Sequence, residues 1–279
     1  MRGEVRPDPF QTLMPGVDTL NKTLNGRVVL VTGAGRGIGR SVALGLAAAG
    51  AKVAVLARSA GEVGHTVSLA VERGGGALAV PADVADPDQV AAALASIRGQ
   101  WGPVEVLVNN AAVVWPLGAS PALSADEWAA ALHVNVTAAA RLTFAVLPGM
   151  LERGWGRIVN VSSGIAANPA GMLRANAYAT SKAALEAHTL NLAAELAGTG
   201  VTVNVFRPGA VDTAMQAFIR GQDPEQIGAV LHQRFVRNHE QGILLSPAES
   251  AAALLSRLAG EDTGQIWDAG DLLLTGDRR

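Results

Sequence analysis

The chain has 279 residues, 49% hydrophobic and 16% charged, enough apolar material for the core of one large α/β domain. Its formal net charge of −2 and scattered arginines exclude the basic footprint of a nucleic-acid binder. There is no cysteine, which removes disulfides, thiolate nucleophiles and thiolate-held metals, and the five histidines form no His-x-x-x-His pair, so no metal site is expected.

Residues 1–25 carry Pro7, Pro9 and Pro15 with Glu4, Asp8 and Asp18, lack the apolar run of a signal peptide, and read as an extension of the fold. A single domain is expected over residues 26–279. β-Branched runs at 27–32, 52–57, 77–80, 104–109, 157–162 and 201–206 read as buried strands, with a last short one at 265–270. Helical segments at 37–49, 87–100, 125–151, 175–197 and 247–258 separate them, several stopped by glycines such as Gly50, Gly102 and Gly198. Apolar strands alternating with helices predict a doubly wound parallel sheet, a Rossmann fold of three αβα layers. Residues 208–246 break that rhythm just after a strand, where open α/β sheets bind ligands, and read as an irregular substrate lid. No stretch reaches the uninterrupted apolar length that spans a bilayer, so a cytoplasmic protein with no membrane partner is expected.

The segment VTGAGRGIGRS joins the first strand to the first helix. Arg40 stands where a phosphate-binding NTPase loop needs lysine, and Ile38 breaks the spacing G-x-G-x-x-G; what is present is Gly33-x-x-x-Gly37-x-Gly39. Glycines there still allow the backbone to approach a pyrophosphate, which the helix N-terminus at Gly37 would attract. At the end of the second strand, where NAD sites place a carboxylate for the ribose 2′-hydroxyl, the chain reads Ala57-Arg58, and Arg36 lies in the glycine loop. Two guanidiniums and no carboxylate favour NADP(H).

Further on, NAYATSK holds the only tyrosine, Tyr178, four residues before Lys182. On a helix these two share a face and can do proton chemistry together. With the glycine loop, PADV ending at Asp83 and Val84, NNAA at 109–112 and this pair, residues 27–270 resemble the short-chain dehydrogenase/reductase family. The resemblance implies that Asp83 and Val84 hold adenine and that Asn109, Asn110, Ala111 and Ala112 line the adenosine and ribose side. It implies that Asn135 supports a water beside Lys182, and that Pro208, Gly209, Val211 and Thr213 close over the nicotinamide. Gly33, Arg36, Gly37, Ile38, Gly39 and Arg58 complete the expected cofactor set, with Tyr178 and Lys182. Either Ser162 or Ser163 can supply a reactive hydroxyl; Ser163 matches the family's substrate-orienting serine. The chain departs from the family pattern at Ala112, at Asp271 and in a lengthened segment between Ser163 and Tyr178.

By the same resemblance, Lys182, helped by the positive nicotinamide in the oxidised complex, should bring the Tyr178 phenol toward the working range, and Tyr178 should exchange a proton with a carbonyl or alcohol oxygen. A small, largely apolar ketone, aldehyde or alcohol is the expected partner, with imine reduction a further possibility. Val113, Val114, Trp115, Met172, Leu173, Met215 and Phe218 fall on the segments around the pocket, and Arg174 in the lengthened loop would suit an anion. A noncatalytic NADP-binding regulator and an epimerase or dehydratase are the alternatives. Long helices at 125–151 and 175–197 match those that pair subunits in the family and imply a homotetramer or homodimer.

Overall fold

In the computed structural model, which describes residues 17–270, the strands are β1 (Val28–Thr32), β2 (Lys52–Ala57), β3 (Gly76–Pro81), β4 (Val106–Asn109), β5 (Gly156–Val161), β6 (Val201–Arg207) and β7 (Ile266–Asp268). They form one sheet in the order β3-β2-β1-β4-β5-β6-β7, every pair parallel. Strand order therefore reverses between β1 and β4, and the crevice beyond their carboxyl ends is where such a sheet takes a ligand. Asp271 and residues 1–16 lie outside the described residues.

The sheet is apolar on both faces because helices cover both. Along β1, Val29 and Val31 enter one core cluster while Val28 and Leu30 enter the other, as strand alternation requires. The first cluster is closed by α2 (Gly37–Ala48) and α11 (Pro247–Leu258), which pack side by side. The second is closed by α4 (Pro87–Trp101), α6 (Ala138–Arg153) and α7 (Asn176–Glu195).

Three differences from the sequence expectation have physical causes. Helix α1 (Val17–Leu24) falls within the expected extension, yet Leu20 and Leu24, one turn apart, are buried in the first cluster, so packing begins before residue 26. Helix α3 (Ala60–Glu72) was not anticipated; the Ser59 hydroxyl caps it by accepting the Glu62 N–H. The lid is helical rather than irregular: α8 (Ala214–Arg220), α9 (Pro224–Ile227) and α10 (Ala229–Glu240) bury Ile219, Ile227, Leu231 and Phe235 in a third cluster with Met172 and Tyr178.

The expected helix at 125–151 is α5 (Ala125–Leu132), a π-helical turn at His133–Thr137, and α6. Contrary to the sequence reading, Ala125–Arg153 is long and apolar enough to cross a membrane by length and composition. In the fold, Leu142 and Met150 are buried in the second cluster while Phe144 and Leu151 stay exposed.

Candidate active site

A cleft of about 770 Å³ runs along the carboxyl ends of β1, β2, β4 and β5. At its floor the glycine loop is built against the end of β4. Thr32 Oγ1 accepts the Asn110 and Ala111 N–H groups, and the Asn110 amide donates to the Thr32 carbonyl. A Cβ on Gly33 would come within 2.9 Å of Ala111, and one on Gly39 within 2.5 Å of both Asn110 Nδ2 and the Gly33 carbonyl oxygen. These glycines are therefore required by the protein's own packing, and Gly33 also has φ of +62°. The Thr66 hydroxyl donates to the Ala34 carbonyl and the Arg40 guanidinium to that of Gly35, which fixes the loop from the α3 side. No side chain caps the first turn of α2, and Gly37 and Ile38 line the cleft. An uncapped helix start facing a cleft suits a pyrophosphate.

At the other end of this region, Arg36, Arg58, Ser59 and Glu62 line the wall together. The expectation of two guanidiniums and no carboxylate is thus corrected: Glu62 lies 3.3 Å from Arg36 across α3's first turn. Both side chains are well exposed, so the pair is weak and free to rearrange around a bound anion. Asp83 and Val84 also line the cleft, with one Asp83 oxygen accepting the Ala85 N–H.

Asn110, Ala111 and Ala112 are on the wall, but Asn109 is not. Its side chain turns to the opposite face, where it donates to Asn160, which donates to Thr189. Asn109 therefore ties β4 to β5 inside the fold and makes no cleft contact. Thr213 reaches the cleft, whereas Pro208, Gly209 and Val211 lie off its walls. The Pro208 carbonyl accepts from Ser250, and Val211 bridges to Leu245, so these residues shape the turn that presents Thr213.

At the β5 end the catalytic candidates converge. Ser162 donates to Glu186 at 2.8 Å and is spoken for, while the Ser163 hydroxyl accepts the Ile165 N–H and lies close enough to the Tyr178 phenol to lower it. Lys182, 2% exposed, donates to the Val161 carbonyl at 2.7 Å, with its ammonium 5.8 Å from the Tyr178 ring centre. Burial pulls Lys182 down to about 8, and the Glu186 charge opposes that. Burial also pushes the Tyr178 phenol above its ordinary range, against a smaller lowering by Ser163. In the protein alone, burial thus outweighs every lowering influence on Tyr178, whereas the expected lowering by Lys182 belongs to the oxidised complex, where a cationic nicotinamide joins it.

Asn135 sits in the π turn with its side chain fully used. Its oxygen accepts the Val113 N–H, and its two amide hydrogens go to the Val113 carbonyl and Ser181. It clamps the cleft wall to the turn of α7 between Tyr178 and Lys182, which leaves its side chain no hydrogen to give a relay water. The extra residues before Tyr178 also have a mechanical use. The Arg174 guanidinium donates to the Glu225 and Gln226 carbonyls, and Arg234 donates to that of Gly171, so the segment clasps the lid and Arg174 is not a free anion receptor. Val113, Val114, Trp115, Met215 and Phe218 line the cleft; Met172 is core and Leu173 points to solvent.

The profile of the short chain dehydrogenase family matches residues 27–224. The chain belongs to that family. A short-chain type dehydrogenase/reductase of Picea abies is 36% identical over 248 residues, covering 86% of this chain and 88% of that protein. The 3-oxoacyl-(acyl-carrier-protein) reductase of Vibrio cholerae is 36% identical over 231 residues, covering 83% and 89%. A short chain dehydrogenase of Pseudocercospora fijiensis is 39% identical, though the match spans only 62% of its length. Among solved structures, actinorhodin polyketide ketoreductase with NADPH is 34% identical with a TM-score of 0.78, covering 87% of this chain and 95% of that one. L-sorbose reductase from Gluconobacter frateurii, complexed with NADPH and L-sorbose, is 27% identical with a TM-score of 0.77, covering 88% and 95%.

Within this short chain dehydrogenase, two wall residues and one beneath them are not signalled by the sequence. Thr32, an unremarkable strand end, anchors β4; Gly35 would bring a Cβ to within 3.0 Å of Glu62; and Glu62 itself meets Arg36 only through the packing of α3 on the loop.

Proposed function

We propose that the chain is an NADP(H)-dependent reductase that interconverts a carbonyl compound and its alcohol, with Tyr178 as the acid and base. What carries this reading is the meeting of Tyr178 with Ser163 and with Lys182, which itself lines one end of a cleft whose other end holds Arg36 and Arg58. The bound cofactor would supply the hydride, held along Gly37, Ile38, Asp83 and Ala111, with Lys182 within reach of its ribose. On the protein side, Tyr178 is buried and protonated at neutral pH, so in reduction it holds the proton that the carbonyl oxygen takes. Ser163 orients that oxygen beside the phenol. Trp115, Met215 and Phe218 make the substrate end largely apolar, which suits a ketone better than a polyol. The ketoacyl reductases and the NADPH-bound ketoreductase among the relatives support the same direction of reaction.

Oxidation of NADPH, followed optically against a panel of ketones, β-keto esters, aldehydes, quinones and imines, tests this reading. Turnover with a ketone is expected; tight NADPH binding with no turnover on any member would favour a regulator instead. Reduction should also fall as pH rises through about 8, because Lys182 is charged only below that value. A flat rate across that range would contradict a role for the ammonium.

Arg58→Ala should weaken NADPH by about tenfold or more while leaving NADH nearly unchanged, since a charge-assisted contact to a 2′-phosphate is lost. Equal losses for both cofactors in a fluorescence titration would sink the 2′-phosphate assignment. As a physical corollary, we also propose that the exposed face of Ala125–Arg153, with Phe144 58% exposed, packs on a second copy of the chain.

A further inference from the structure

One buried charged group has no part in the chemistry described so far. Glu186 is only 8% exposed and lies one helical turn beyond Lys182 on α7. Its carboxylate is held on three sides. Oε1 accepts from Ser162 Oγ at 2.8 Å and from Arg207 Nε at 2.9 Å, and Oε2 accepts from Arg207 Nη2 at 2.7 Å. Three elements thus meet at one carboxylate: the end of β5 beside Ser163, the end of β6 before the Pro208 turn, and the α7 turn that carries Lys182.

We propose that Glu186, gripped by Arg207 and Ser162, is a positioning residue for Lys182. It keeps the buried ammonium charged and locks the β5 end, whose Val161 carbonyl receives that ammonium. The inference rests on the reductase reading for its consequence, but its physical content does not.

The charges facing Lys182 are few. On its own helix there are the Glu186 carboxylate and the Tyr178 phenol; β6 brings Arg207 onto that carboxylate, and Asp268 of β7 acts on Arg207 in turn. The β5 end offers the hydroxyls of Ser162 and Ser163, and the π turn hydrogen-bonds α7 through the neutral Asn135 amide. Arg207 partly cancels Glu186, so removing either partner should move Lys182 in opposite directions. Loss of the Glu186 charge removes the carboxylate that opposes the burial of the ammonium and favours its neutral form. Loss of Arg207 frees the carboxylate to act on Lys182 and favours the charged form. A purely structural brace has no reason to produce opposite signs.

The sequence makes this measurable without any substrate, because the only lysines are Lys22, Lys52 and Lys182, and the first two are exposed. In full-length protein carrying lysine labelled at Cε, a pH titration by NMR should resolve Lys182 near 8, with Lys22 and Lys52 as internal references. In Glu186→Gln the Lys182 midpoint should fall by about one pH unit, and in Arg207→Met it should rise, while Glu186→Asp stays near wild type. Midpoints that stay put in both Glu186→Gln and Arg207→Met, or move the same way, would overturn the proposal. If Glu186→Gln does not fold, the sign of the Arg207→Met shift decides alone. The alkaline fall in reductase activity should follow the same two shifts. Should the Lys182 midpoints shift as expected while the protein reduces no carbonyl, the reductase reading fails and the role of Glu186 stands.

Discussion

Tyr178→Phe should reduce turnover by about three orders of magnitude, in the middle of the range for losing a general acid, while NADPH binds almost as before. The substitution removes one hydroxyl from a side chain packed in the cluster of Met172, Ile219 and Phe235, so the ring keeps its place and the fold its core. What is lost is the phenol beside Ser163 that would carry a proton to a carbonyl oxygen. Nor is there a second tyrosine to substitute for it. Steady-state rates with NADPH and a ketone, together with an NADPH titration of the variant, check both halves. Full activity would refute the assignment, and loss of NADPH affinity in step with turnover would place Tyr178 in binding and not in chemistry.

Gly39→Ala is expected to be the most damaging single change in the cofactor loop. Its Cβ would sit 2.5 Å from the Gly33 carbonyl oxygen and 2.5 Å from Asn110 Nδ2. One of those contacts is backbone and the other is a short side chain already donating to Thr32, so neither can move without opening the junction of β1 and β4. Overpacking of this kind costs about 1–3 kcal/mol, and it falls on the element that must cradle the pyrophosphate. Thermal melting and NADPH titration should therefore both worsen, with affinity down by more than tenfold. By contrast, Gly61→Ala on α3, where an added Cβ meets nothing, should leave both unchanged. A Gly39→Ala protein with normal melting and normal NADPH affinity would contradict the packing described for the loop.

Much of this architecture was legible because it depends on local pattern. The strands β1, β2, β4, β5 and β6 announce themselves as β-branched runs, and their apolar character on both faces fixes a parallel sheet. Helix α3 escaped notice because Gly61 and Gly64 blur its period, and α1 because it is short and follows three prolines. The lid helices are short and partly polar, and their buried face exists only once Met172 and Tyr178 are there to pack against.

The site was legible to the same extent. Tyr178, Lys182 and the glycine loop are set by spacing along one helix or one turn. Asn109 was misplaced because neighbouring strand residues point to opposite faces, and which of the two asparagines met the cleft depended on where β4 ended. Glu62 beside Arg36, Glu186 beside Arg207 and Arg174 on the lid backbone are tertiary contacts between segments far apart in sequence. The ionisation of the catalytic pair belongs to this second group. Residue type promises a lowered phenol in the oxidised complex, and only the fold shows that burial raises it in the protein alone.

The single tyrosine allows that last point to be turned into a direct test. The appearance of phenolate in the ultraviolet difference spectrum can come only from residue 178. In the protein alone its midpoint should lie above the ordinary phenol value near 10. With saturating NADP⁺, whose nicotinamide is cationic, the midpoint should fall and coincide with the acid limb of alcohol oxidation. A midpoint that is the same with and without NADP⁺, or an acid limb that persists in Tyr178→Phe, would contradict Tyr178 as the proton carrier.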